Sequence, residues 1–452
     1  MRPLRRSLAL LCLLAVASAA AAAAAQTPAR EPFFPRAGNR GYDVSRYVVT
    51  LGYAGGGARI RALTKIEATA TQRLRRFSLD LYGLRVTEVR VDGQRARSSR
   101  GRGKLKVVPP SPIPEGEGFS VLVRYRGAPQ LVTDPDGTEE GWYRTDDGVI
   151  AVGEPQGTPA WIPCNNVPAD KATFDFEIGV PPGLKAVANG RFRGRVERGG
   201  RSVFRWSETA AMSPYLAVLD VGRGKLVKSG IGGHPAWTLV DPRLAAGSRR
   251  VLAALPEILR FESRLFGAYP FRAAGSIVDF APGLGYALET QSRPIYPYVP
   301  DRTTVVHETA HQWFGDSLGL KRWPEIWLNE GFATWTEWYY AERHGGRGAH
   351  AIFARLQRVP ASNEAFWEPP SAHPGKPKHL FGPSVYVRGA MALQALRERI
   401  GTKQLLRLLR RWTTGHRFGS VTIREFTALA EHVSGRELDP LFRRWLYKRG
   451  KP

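Results

Sequence analysis

Cysteine is almost absent: the 452-residue chain has two, Cys12 and Cys164. Cys12 falls in a leader-like first segment without the small residues that precede a lipid-modified cysteine, so the remainder keeps one thiol and no intramolecular disulfide. Acidic residues are also short, 40 against 66 lysines and arginines, for a formal charge of +26. The leader holds three of the arginines and no acid, which leaves +23 on the rest of the chain. That excess favours anionic surroundings. The basic residues are scattered and not interleaved with aromatics as a stripe, so no nucleic-acid partner is expected; an anionic envelope surface or plain solvation accounts for them. Internal repeats and low-complexity tracts are missing beyond the leader, which argues against a repeat architecture. Seven of the nine histidines, His234, His344, His350, His373, His379, His416 and His432, lack ligand-like spacing and read as surface or loop residues.

What is present begins with an export signal over 1–25. Arg2, Arg5 and Arg6 precede an apolar run from Leu8 that ends in Ala-x-Ala at Ala25. The Leu-rich run favours the general secretory route over the twin-arginine route, with an uncleaved anchor as the lesser reading, so the protein is expected outside the cytoplasm. The chain left after cleavage is long enough for two or three domains with real cores.

Two periods divide it. From Tyr42 to about Val221 apolar residues alternate, as in Tyr47, Val49, Leu51 and Tyr53, or Phe119, Val121, Val123 and Tyr125. That spacing predicts half-buried strands and an all-β domain over 26–224, with a tight turn at Asp92-Gly93 and an exposed loop at SSRGRGK, 98–104. After Gly224 the period lengthens, and helices are predicted over 251–266, 302–314, 324–344, 384–400, 402–412 and 422–433 in a mostly helical domain, 225–452. A proline-rich stretch before Ser384 is a candidate cleft-lining loop.

The densest chemistry lies at HETAHQWFG, residues 307–315. Residues i and i+4 share a helix face, so His307 and His311 can address one ion while Glu308 stands beside it as a general base. Glu330, on the next helix in WLNEGFA, completes an HExxH-x18-E pattern. Two histidines and one glutamate leave a coordination position for water, which is the mark of a catalytic zinc site, one ion per chain. Glu337 lies two turns beyond Glu330 on the same face, where it can accept a hydrogen bond from a ligand histidine.

HETAHQWFG with WLNEGFA resembles the aminopeptidase N and leukotriene hydrolase family of zinc peptidases. GYALETQ looks like that family's G-A-M-E-N segment, which places Gly285, Tyr286, Ala287, Leu288 and Glu289 at its substrate-binding positions; VYVRGA looks like V-Y-x-K-G-A, which places Tyr386 as the catalytic tyrosine. GEPQGTPAWIPCNN resembles the segment that supplies a second amine-binding acid, here Glu154. The resemblance implies an α+β fold of two domains, a saddle-like N-terminal β domain followed by a thermolysin-like zinc peptidase domain. It also implies removal of N-terminal residues from peptides with a free N-terminus. Only the Ala and the Glu of G-A-M-E-N survive here, which bears on first-residue specificity. Larger members carry a C-terminal helical domain over the site; this chain ends soon after the catalytic half, and a more open cleft is expected. The other readings are a zinc endopeptidase and a catalytically inactive basic protein that binds envelope or peptide. A monomer is expected, with a dimer as the other state.

Overall fold

The computed structural model describes residues 31–56 and 59–452, so the export signal and Cys12 lie outside the described residues. Among the described residues no helix is long and apolar enough to cross a membrane.

In Tyr42–Tyr53, Ile60–Ala70 and Ala172–Val180 nearly every second side chain is buried. Alternation of that kind commits one face to a core and the other to water, and so fixes the register. These strands form the centre of an eight-stranded sheet completed by Gly118–Gly127, Arg85–Val91, Gln94–Arg95, Arg201–Met212 and Arg191–Arg198. A five-stranded sheet packs with it, running Lys185–Ala188, Leu219–Gly222, Val149–Val152, Glu139–Arg144 and Leu131–Thr133. Its central strand, Val149–Val152, is buried throughout and leads straight into the Glu154 loop.

The structure departs from one expectation and adds a sheet to the mostly helical half. The stretch 98–104 is exposed but is no loop: Arg97–Gly101 pairs with Lys104–Val108 through a turn at Arg102 and Gly103, both at positive φ. Its side chains all face water, so only the backbone records the strand. In the second half, a four-stranded sheet of Lys225–Ile231, His234–Val240, Ala274–Val278 and Ile295–Tyr296 is interleaved with the first helices, and His234 sits in a strand. Lys225–Ile231 is exposed at most positions, and the other two pairings are parallel, one of them spanning two helices, so no local pattern announces this sheet.

The rest is helical. The predicted 251–266 helix is two, Ala245–Ala253 and Leu255–Phe266, interrupted at Ala254 before Pro256. Thr422 and Glu425 form a capping box at Ile423–Ser434. Lys171, at the edge of the β domain, is half-buried and donates to the carbonyls of Asp316 (2.7 Å) and Ser317 (2.9 Å) in the turn after the HExxH segment. An ammonium with such partners fixes one domain against the other.

Candidate active site

Asp301 caps the helix Arg302–Ala310 by accepting from the Thr304 amide at 2.7 Å. The helix ends sooner than predicted, with His311 in its C-terminal cap, and the chain turns away through Gly315 at φ 126°. The following helix, Trp327–Arg343, returns alongside. Glu330 Oε2 then lies 3.3 Å from His307 Nε2 and 3.4 Å from His311 Nε2.

The opposite ring nitrogens are already engaged. His307 Nδ1 meets Glu337 Oε1 at 2.6 Å, and His311 Nδ1 donates to the Phe314 carbonyl at 2.9 Å. Both imidazoles therefore turn their Nε2 lone pairs toward Glu330, the tautomer a metal ligand needs. Ligand atoms of all three residues lie within 4.8 Å of one another. Their electrostatics ask for a cation: burial alone would lower the His311 imidazole, but Glu330 and Glu289 outweigh it and push it up to about 9. Burial likewise raises Glu330, yet the two imidazoles pull it down to about 2. A trio that keeps positive charge among its own donors fits a divalent ion, and two nitrogens with one carboxylate oxygen suit zinc.

Beside this trio is a cavity of about 120 Å³ lined by Glu154, Glu289, Glu308 and Tyr386 together with the three donor residues. Glu308 is 6 % exposed, and burial, tempered by the two histidines, raises its carboxyl to about 7 among the chain's own groups. Tyr386 stacks on His307 with ring centroids 6.0 Å apart. Burial first, then the surrounding carboxylates, hold its phenol well above its ordinary value, so it stays a donor. It rides on a π-turn, Ser384–Arg388, that opens the helix Gly389–Ile400.

Tyr386 gets there because two glycines meet. A Cβ on Gly331, next to Glu330, would stand 3.0 Å from the backbone of Gly389. Only bare backbones let these helices approach so closely. Arg388 fixes the same helix from behind by donating to the carbonyls of Trp445 (2.9 Å) and Gly450 (3.0 Å).

Glu154 and Glu289 come from different domains and converge with Glu330, ligand atoms again within 4.8 Å. They are 7 % and 3 % exposed, and each has an Oε1 that no donor reaches. Burial first, and then the neighbouring carboxylates, raise both. Tyr286, Ala287 and Leu288 line the same cavity, and the Tyr286 hydroxyl donates to the Glu139 carbonyl at 2.8 Å. Gly285 does not line it; it is the exposed, positive-φ residue just before these.

Three residues escaped the sequence reading. Thr138, from the β domain, and Phe381, from the proline-rich stretch, also line the cavity. Gln312 is the third. Its Nε2 donates to the Glu289 carbonyl at 3.0 Å and its Oε1 accepts from the Ser292 amide at 2.8 Å. One side chain beside His311 thus grips both ends of the turn that carries Glu289. The other side of that turn is held by the β domain: Asn189 donates to the Gln291 carbonyl (2.9 Å) and the Gly190 amide donates to Ser292 Oγ (2.7 Å). The only advance sign of Gln312 was its place directly after the HExxH.

Comparison with known proteins agrees with this geometry. Residues 298–445 match the peptidase family M1 domain, and residues 60–216 match the peptidase M1 N-terminal domain. A leucyl aminopeptidase of Saccharolobus solfataricus is 24% identical over 455 residues, covering 90% of this chain and 54% of that protein. Aminopeptidase M1 of Arabidopsis thaliana is 26% identical over 325 residues, covering 66% of this chain and 36% of its own length. The chain thus spans about half or less of the length of these curated relatives. The crystal structure of an M1 zinc metallopeptidase from Deinococcus radiodurans superposes with a TM-score of 0.86 at 29% identity, covering 93% of this chain and 97% of that one. A mutant of the Deinococcus radiodurans enzyme, bound to a Tyr-Ser-Ala substrate, is as similar, with the same TM-score and identity over 93% of this chain and 98% of its own.

Proposed function

The chain belongs to the M1 peptidase family, and from that premise we propose that it is an exported zinc aminopeptidase that removes the N-terminal residue of peptides with a free α-amino group. The observation that carries the exopeptidase reading is the meeting of Glu154 and Glu289 beside the His307, His311 and Glu330 donors in one cavity. Two buried carboxylates repel unless a cation lies between them, and the substrate's ammonium is such a cation.

His307, His311 and Glu330 would hold one zinc ion per chain, which when bound would supply Lewis-acid polarisation of the scissile carbonyl and acidify the attacking water. Glu308 takes the proton from that water and returns it to the leaving amine; a carboxyl raised toward neutrality suits both transfers. Tyr386 donates its hydroxyl hydrogen to the oxyanion that forms on the carbonyl oxygen. Glu289 and Glu154 hold the α-ammonium by charge-assisted hydrogen bonds, so the first peptide bond, and no later one, comes opposite Glu308. Glu337 keeps the His307 ring in its ligating orientation. The leader over 1–25 supports export by the general secretory route.

A panel of aminoacyl fluorogenic substrates tests this reading. Hydrolysis is expected to stop on chelation and return with zinc. Active protein free of divalent metal contradicts the zinc assignment, and recovery of activity only in the cytoplasmic fraction contradicts export.

A further inference from the structure

The eight-stranded sheet leaves one face to solvent, and one row of that face is filled with arginine. Arg61 is paired in register with Arg126, and Arg126 with Arg85, so three exposed guanidiniums stand at opposed positions of adjacent strands. Like charges placed directly across a sheet repel and weaken it. The row continues through Gly52, opposite Arg61, and then Gly179, opposite Gly52. Neither glycine has a side chain, so the row sinks into a groove of about 760 Å³. Arg59, Arg61, Arg85, Arg126 and Arg201 line it, Gly52 forms part of its floor, and among the described residues no acid borders it. Arg201 closes the far end and donates to the Gly179 carbonyl at 3.1 Å.

Several arginines elsewhere on this sheet find carboxylates. Arg46 pairs with Asp175 at 2.6 Å, Arg124 with Glu88 at 2.8 Å and Arg205 with Glu177 at 3.1 Å. None of the five groove arginines has an ion-pair partner among the described residues. The groove thus gathers five guanidiniums that no carboxylate among the described residues neutralises.

We propose that this groove binds a phosphate-rich polyanion chain laid across the strands. Guanidinium forks match phosphate oxygens, and at about 4.8 Å per strand the row from Arg85 to Gly179 runs roughly 20 Å, room for several successive phosphates. The concavity admits a chain and turns away a planar bilayer. No aromatic residue lines it, so it offers no platform for stacked bases, and a polyanion without bases fits better than nucleic acid. The groove lies on the β domain, and its residues are separate from those of the peptidase cavity.

Titration with long-chain inorganic polyphosphate at near-physiological salt tests the proposal on the full chain. The double variant Arg61→Ser/Arg126→Ser should weaken binding at least about tenfold. Gly52→Val fills the floor without changing charge, and its Cβ meets only the Arg61 carbonyl at 3.6 Å, an ordinary contact; it should weaken binding several-fold. Arg191→Ser/Arg193→Ser removes equal charge from an exposed edge strand and should leave binding within about twofold of the parent. Unchanged hydrolysis of a small aminoacyl substrate in all three shows that the fold is intact. Equal losses in the two double variants, or full binding by Gly52→Val, would mean diffuse attraction and overturn the groove. Tight binding to phosphatidylglycerol vesicles that Gly52→Val leaves untouched would assign the face to a membrane and overturn it as well.

Discussion

His307, His311 and Glu330 sit on consecutive elements of one domain and are oriented by near neighbours, Phe314 and Glu337. Glu154 and Glu289 sit on loops of different domains, and each reaches the cavity only because sheets, loops and helices from both domains dock correctly. The metal side of the cleft is thus locally determined, while the proposed amine side is a product of domain packing. Bond cleavage and end-recognition should respond separately to mutation, and that separation can be tested residue by residue.

The largest loss should come from Glu308→Gln, about three to four orders of magnitude in kcat with zinc content unchanged, on any substrate the enzyme cuts. Glu330→Ala, by contrast, should lose the metal as well. Zinc analysis beside turnover separates the two. Tyr386→Phe comes next, at about two to three orders in kcat with KM little altered, the scale of one lost oxyanion donor. Near-normal turnover by either Glu308→Gln or Tyr386→Phe would remove that residue from the chemistry.

Gln312→Leu probes the link between the two sides. Zinc should stay bound, but the Glu289 turn loses both of its ties to the helix, and kcat/KM for free-amine peptides should fall about tenfold. If N-blocked peptides lose as much, Gln312 supports the metal and not the amine site. The smallest effect is expected from Gly331→Ala. Its Cβ would press on the Gly389 backbone, at about 1–3 kcal/mol for overpacking against roughly 1 kcal/mol gained in helix propensity. A lowered denaturation midpoint with a few-fold loss in kcat would show that the helix contact sets the place of Tyr386.

Legibility in the sequence follows the same division. The metal trio, its base and the Glu337 support could be read from helical spacing, because every partner lies within two turns or on the adjacent helix. The strands Tyr42–Tyr53 and Gly118–Gly127 were equally open, written in apolar residues two apart. The amine side was reached only by resemblance, since no period links Glu154 to Glu289. Gln312 and Thr138 left no pattern at all; their roles come from what the fold sets against them. The sheet that begins at Lys225 was missed for the same reason, its parallel pairings being non-local.

In the proposed function, two converging carboxylates make this zinc site an exopeptidase. The direct measurement is mass spectrometry of one peptide series, free and N-acetylated, digested by the parent enzyme and by Glu289→Ala. The parent should cut free peptides stepwise from the N-terminus and acetylated ones at least about a hundredfold more slowly, and Glu289→Ala should narrow that gap mainly by losing kcat/KM on the free series. Equal cleavage of both series, or cuts internal to the peptides, would contradict the claim and identify an endopeptidase.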